Sequence, residues 1–114
     1  MSVAEVNYEW VADNRALDDL LDRLQSHDRV ALDTEFHREK TYFPRLALIQ
    51  LAWLDGLAIV DPLTCDASKL SRIFGANHLI VLHAAQQDLD VMSHAMGTIP
   101  ARIFDTQIAA GFLG

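Results

Sequence analysis

Three short apolar runs follow one another between residues 29 and 61, and they constrain the fold of this 114-residue chain more than any other feature. "RVALDTEF" (29–36), "RLALIQLAW" (45–53) and "LAIVD" (57–61) are rich in aliphatic residues, and each has the length of a strand. Asp55-Gly56, between the second and third runs, is a tight-hairpin signal. The three runs predict an antiparallel meander, with a longer loop over 37–44, ended by Pro44, joining its first two strands.

Around this meander the pattern alternates with helices. A strand is expected near Tyr8 to Val11, followed by Asp13 and Asn14 as cap candidates and by Leu17, Leu20, Leu21 and Leu24 at helical spacing. Pro62 should end the third meander strand, and Asp66 can cap a short helix carrying Leu70, Ile73 and Phe74. "LIVLHA" (79–84) is a nearly continuous apolar run, which predicts a strand buried on both faces. In "AQQDLDVMSHAM" Leu89, Met92, Ala95 and Met96 share one side of a helical wheel. A last helix is expected from Asp105 through Ile108, Ala109 and Phe112. The order β-α-βββ-α-β-α-α indicates an α/β fold: a mixed sheet, three strands of it an antiparallel meander and one parallel to it, flanked by helices.

Composition sets the class. With 51% hydrophobic residues the chain is large enough for one core and too small for two domains. No apolar run approaches the roughly 18 residues of a membrane span, and "MSVAEVNYEW" has neither a basic nor an apolar leader segment, so the expectation is a cytoplasmic protein with no membrane partner. The single cysteine, Cys65, has no partner for a disulfide or a zinc site and reads as a packing residue. The apolar ending "AAGFLG" suggests a domain truncated at its C-terminus.

A net charge of -7 argues against binding nucleic acid through a broad basic surface. The charges are uneven, however. "HREKTYFPR" (37–45) holds Arg38, Lys40 and Arg45 against Glu39 alone, out of totals of 9 basic and 16 acidic residues. Any phosphate-facing surface should lie near that loop, which charge alone does not distinguish from an ordinary solvated one.

The first meander strand carries the chemistry. Asp33 and Glu35, two residues apart, project on one face, with Leu32, Thr34 and Phe36 on the other. In a partly buried strand two carboxylates this close repel by roughly 4 kcal/mol at ~4 Å in an intermediate dielectric, so a cation should compensate them. A hard divalent cation prefers such oxygen ligands. Asp88 falls in the first turn of the helix after "LIVLHA", on the wheel arc of Ala85, Met92 and Ala95, and supplies a third carboxylate expected to point inward. Singly, each acid is also explained by an arginine partner or a helix end; together they favour a metal site.

The segments "VALDTEF", "TYFPRLALIQLA", "DPL", "HAAQQDLDVM" and "FDTQIAAGFLG", in this order and over nearly the whole chain, resemble the ribonuclease D family of DEDD 3'-to-5' exonucleases. The resemblance implies a ribonuclease H-like fold and a site of four carboxylates holding two divalent metal ions, Mg²⁺ or Mn²⁺. The family's first motif falls on Asp33 and Glu35, and the aspartate of its second falls on Asp88. Its third motif, a tyrosine followed four residues later by an aspartate, is absent from residues 1–114, and Asp105 is no substitute for it. The expectation is therefore a partial exonuclease domain, nearly inactive alone.

By the same resemblance Asp33 would bridge both metals, Glu35 would hold the metal of the attacking water, and Asp88 would hold the other. Thr34 and Phe36 are candidates to touch the terminal nucleotide, although core packing explains Phe36 equally well. His83, Arg38, Lys40 and Arg45 are candidates for phosphate contacts. The implied partner is the single-stranded 3' end of a tRNA-like RNA. Alternatives are a 3'-to-5' DNA exonuclease and a non-catalytic interaction module. Self-association is expected if an apolar sheet face is left uncovered.

Overall fold

The structure is a computed structural model, and it describes residues 7–37, 45–82 and 86–106, with the backbone alone for His37 and residues 86–88. Six strands form one sheet: β1 (Glu9–Val11), β2 (Arg29–His37), β3 (Arg45–Trp53), β4 (Gly56–Val60), β5 (Leu79–Leu82) and β6 (Ile103–Asp105). Two α-helices, α1 (Asn14–Leu24) and α2 (Gln86–Met96), and a 3-10 helix (Ala67–Ile73) complete the described elements. The sheet order is β1-β4-β3-β2-β5-β6. β2, β3 and β4 pair antiparallel, whereas β5 is parallel to β2, β6 to β5, and β1 to β4.

The mixed sheet is the expected one, extended by an additional strand. β6 occupies Ile103–Asp105 and ends at the residue where the last helix is expected to start, with Thr106 already helical. Three residues are too few to show a period of two, and only pairing with β5 (Ile80 with Ile103, Leu82 with Asp105) makes them a strand. Residues 107–114, which carry the rest of that expected helix, lie outside the described residues.

Alternation along the strands sends one row of side chains into the core. Val30 and Leu32 of β2, Ile49 and Leu51 of β3, Ala58 and Val60 of β4, Val11 of β1, and Ile80 and Leu82 of β5 are buried together. Leu17, Leu20, Leu21 and Leu24 of α1 join the same cluster, with Leu70, Ile73 and Phe74 from the 3-10 segment and Met92 and Met96 from α2. The described helices thus cover one face of the sheet. β5 is not buried on both faces: Ile80 and Leu82 are buried, but Leu79 and Val81 are half-exposed, because no described helix covers their side.

Caps and ion pairs fix the helices on that face. The Asp13 carboxylate accepts from the Ala16 amide at 2.7 Å, and Asp66 accepts from the Ser68 amide at 3.0 Å. Arg23 donates twice to Glu9, at 2.7 and 2.8 Å, joining α1 to β1. Lys69 meets Asp18 at 3.0 Å and Arg72 pairs with Asp22, joining the 3-10 helix to α1. Buried His78 places Nε2 3.1 Å from the Leu24 carbonyl at the end of α1. Cys65 is buried as a free thiol, and its burial raises the thiol pKa, which suits packing and not reactivity.

Candidate active site

β2 keeps strict alternation through its carboxylates. Leu32 faces the core, Thr34 and Phe36 are half-buried on the same side, and Phe36 packs against the core cluster. Ala31, Asp33 and Glu35 point the other way and are exposed. The partly buried charged pair expected from the sequence is therefore corrected. Among the described residues no helix covers the carboxylate side, so water cuts the mutual repulsion to about a quarter of its intermediate-dielectric value.

A β-bulge shapes the neighbouring strand. Asp33 pairs with Gln50 and Glu35 with Leu48, but Phe36 pairs with Leu46, so Ala47 is the extra residue. The bulge lets Leu46 and Ile49, three residues apart, both enter the core while β2 continues undisturbed. Asp33 and Glu35 consequently stay on one face up to the strand's end.

The carboxylates stand at the carboxyl end of the parallel strands. Ala31 pairs with Val81 and Val81 with Phe104, so Asp33 reaches beyond the end of β5 at Leu82. Residues 83–85 connect that end to α2, in which Asp88 is the third residue. Two adjoining strands and a helix start are thus brought to one sheet edge. An open concavity of about 390 Å³ lies here, lined by Ala31, Leu32, Asp33, Val81, Leu82 and Thr106. Thr106 Oγ1 donates to the Leu82 carbonyl at 3.4 Å. A larger concavity of about 760 Å³ lies at the opposite end of β2, beside His27, Asp28 and Trp53, away from both carboxylates.

The structure puts Asp33 and Glu35 on one face of β2, and Asp88 is the third residue of α2, the helix that follows β5; the Asp88 side chain lies outside the described atoms. Arg38, Lys40 and His83 lie outside the described residues. Arg45 is exposed at the start of β3, paired in register with His37 just beyond Glu35. Sequence patterning gives no hint of Thr106, whose place beside Asp33 depends on the pairing of β6.

Asp33 and Glu35 fit a hard cation by their chemistry. Oδ1 of Asp33 accepts from the Thr34 amide at 3.0 Å, which orients the carboxylate and leaves Oδ2 for a ligand. Among the described residues no cluster of three or more His, Cys, Asp or Glu side chains is close enough to form a complete metal cage.

Residues 8–114 match a family described as 3'-5' exonuclease. The chain belongs to the 3'-5' exonuclease family. Its relatives include the ribonuclease D of Escherichia coli, 40% identical over 96% of this chain and 30% of that protein, and the ribonuclease D of Desulfotalea psychrophila, 49% identical over 76% and 24%. The crystal structure of Escherichia coli RNase D, described as an exoribonuclease involved in structured RNA processing, superposes with a TM-score of 0.87 over 96% of this chain and 30% of that one, at 40% identity. The catalytic core of RRP6 from Trypanosoma brucei superposes with a TM-score of 0.88 over 99% and 32%, at 26% identity. These matches establish the ribonuclease D resemblance and the ribonuclease H-like fold. The chain spans about 30% of the length of the first curated relatives it matches.

Proposed function

We propose that this chain is part of the exonuclease domain of a 3'-to-5' exoribonuclease that hydrolyses phosphodiester bonds at RNA 3' ends. The observation that carries the reading is the pairing of Asp33 and Glu35 on one exposed face of β2, at the sheet edge where α2 begins with Asp88 as its third residue. Asp33, Glu35 and Asp88 would hold two divalent cations, Mg²⁺ or Mn²⁺. When bound, such ions supply an activated water and stabilise the charge of the departing 3' oxygen.

The chain's own residues orient and bind. The Thr34 amide fixes the Asp33 carboxylate. The concavity walled by Ala31, Val81 and Leu82 gives an apolar surface for a terminal nucleotide, with Asp33 at its rim. Phe36, packed on the core, supports this strand from behind, and Thr34 lies beside it. Arg45, with Arg38 and Lys40 in the adjoining segment and His83 after β5, is proposed to meet phosphates, which would offset the chain's net charge of -7.

The relatives are about three times as long as the matched region, and a fourth carboxylate and a water-orienting tyrosine are proposed to come from sequence outside residues 1–114. Residues 1–114 alone are then nearly inactive. The sheet face that no described helix covers, carrying exposed Trp10 and Phe104, would favour self-association. Among the described residues no helix is long and apolar enough to cross a membrane. The proposed substrate is tRNA-like RNA, and the proposed site of action is the cytoplasm.

The test is degradation of matched single-stranded RNA and DNA, labelled at the 5' end, by the full-length protein with Mg²⁺ and with EDTA. The reading predicts stepwise, EDTA-sensitive shortening of RNA. A clear DNA preference would replace it with a DNA exonuclease, and no shortening of either would favour a non-catalytic module.

A further inference from the structure

The concavity at the end of β5 is walled by side chains that accept hydrogen bonds and have no proton left to give. Its lining residues are Ala31, Leu32, Asp33, Val81, Leu82 and Thr106. Four of these are apolar, and an ionised aspartate is an acceptor only. Thr106 carries the one hydroxyl among them, and that hydroxyl donates to the Leu82 carbonyl at 3.4 Å. A hydroxyl has one proton and two acceptor sites, so with its proton engaged by Leu82 it meets a ligand as an acceptor. Its place is set by strand pairing, because the preceding residue, Asp105, pairs with Leu82. An ionised phosphate has no proton to offer these walls and would be repelled by Asp33. A sugar hydroxyl has one. The volume, about 390 Å³, is that of a pocket for one small ligand.

We propose that Thr106 reads the sugar of the terminal nucleotide: its Oγ1 accepts a hydrogen bond from a ribose hydroxyl, 2' or 3', seated in the concavity with the phosphate turned outward. The apolar walls Ala31, Val81 and Leu82 then pack against the uncharged part of the nucleotide, and Asp33 at the rim faces the end of the chain that hydrolysis would release. If the hydroxyl is the 2' one, Thr106 also separates RNA from DNA. The inference rests on the exonuclease reading for the identity of the ligand.

The contact is tested by NMR titration of the 114-residue chain with adenosine 5'-monophosphate and with its 2'-deoxy and 3'-deoxy analogues. The first should shift the methyl signals of Thr106, Ala31 and Val81, and loss of the recognised hydroxyl should weaken binding by about 3- to 10-fold, the net worth of one ordinary hydrogen bond. The weaker analogue identifies the hydroxyl. Thr106→Val keeps the shape and loses the oxygen, so it should bind all three nucleotides alike, and Thr106→Ser should restore the difference. Equal binding of the three by wild type, a difference that persists in Thr106→Val, or shifts that avoid these residues overturns the proposal. In the full-length protein the same preference should appear in kcat/KM for RNA ending in a 2'-deoxy or 3'-deoxy residue, and Thr106→Val should abolish it. A merely structural Thr106 predicts that Thr106→Val lowers all three rates equally, and that result overturns the proposal. If no RNA is shortened while hydroxyl-dependent binding persists, the exonuclease reading falls and the contact stands.

Discussion

Trp53 lies across Gly56 where β3 turns into β4: a Cβ placed on Gly56 would sit 2.8 Å from Cζ2 of the indole. The two residues pair in register, and Leu54 and Asp55 form the turn between them. Among the described residues only Gly97 has a positive φ, so Gly56 is required for close approach and not for a left-handed turn. Gly56→Ala must displace the ring, and overpacking of this kind costs about 1–3 kcal/mol. Thermal unfolding should show a melting temperature lower by several degrees, and an unchanged value would mean that the indole moves aside freely.

The core on the helix-covered face should be sensitive to truncation. Leu21 is fully buried among α1, the 3-10 helix and the sheet. Leu21→Ala should cost about 2–5 kcal/mol, a large share of a small domain's stability. Denaturant titration checks this through a lower midpoint at unchanged slope.

Acid should weaken the 3-10 helix through its cap. Bonds from the Ser68 hydroxyl, at 2.6 Å, and from its amide lower the Asp66 pKa below its ordinary value of 3.8. A carboxyl whose folded pKa is depressed contributes stability that is fully present above its unfolded pKa and is lost as pH falls through its folded one. Wild type should therefore lose its advantage over Asp66→Asn as pH drops below about 4. A stability difference that does not narrow in this range would show that the cap's charge is irrelevant.

Much of this fold is legible in the sequence because its signals are local. The leucines of α1 recur at helical spacing, Asp13 and Asp66 cap where they should, and the three meander strands keep their apolar runs. β6 is not legible, since Ile103–Asp105 is a strand only by virtue of lying against β5. The half-exposure of β5 also escapes the sequence: a short apolar run is the same whether one face or both are covered. At the site, the two-residue spacing of Asp33 and Glu35 gives their common face directly. Their exposure and the alignment of Gln50 with Asp33 depend on which face the helices cover and on a bulge at Ala47 that shifts register by one residue.

Cation binding by the two exposed carboxylates should be detectable without turnover. Mn²⁺ added to the 114-residue chain should broaden amide signals of residues 33–35 first, and Glu35→Gln should weaken this effect by about tenfold. Broadening centred on the acidic surface of α1, around Asp18, Asp19 and Asp22, would instead mark non-specific attraction to a negatively charged protein.

Asp33 is proposed as the pivot of an exonuclease site. Its most direct test is the rate of RNA 3'-end hydrolysis by the full-length protein carrying Asp33→Asn, with folding checked by circular dichroism. The account predicts a loss of at least about a thousandfold at unchanged spectrum, comparable to removing a principal catalytic group elsewhere. A folded Asp33→Asn protein that shortens RNA at the wild-type rate would contradict it.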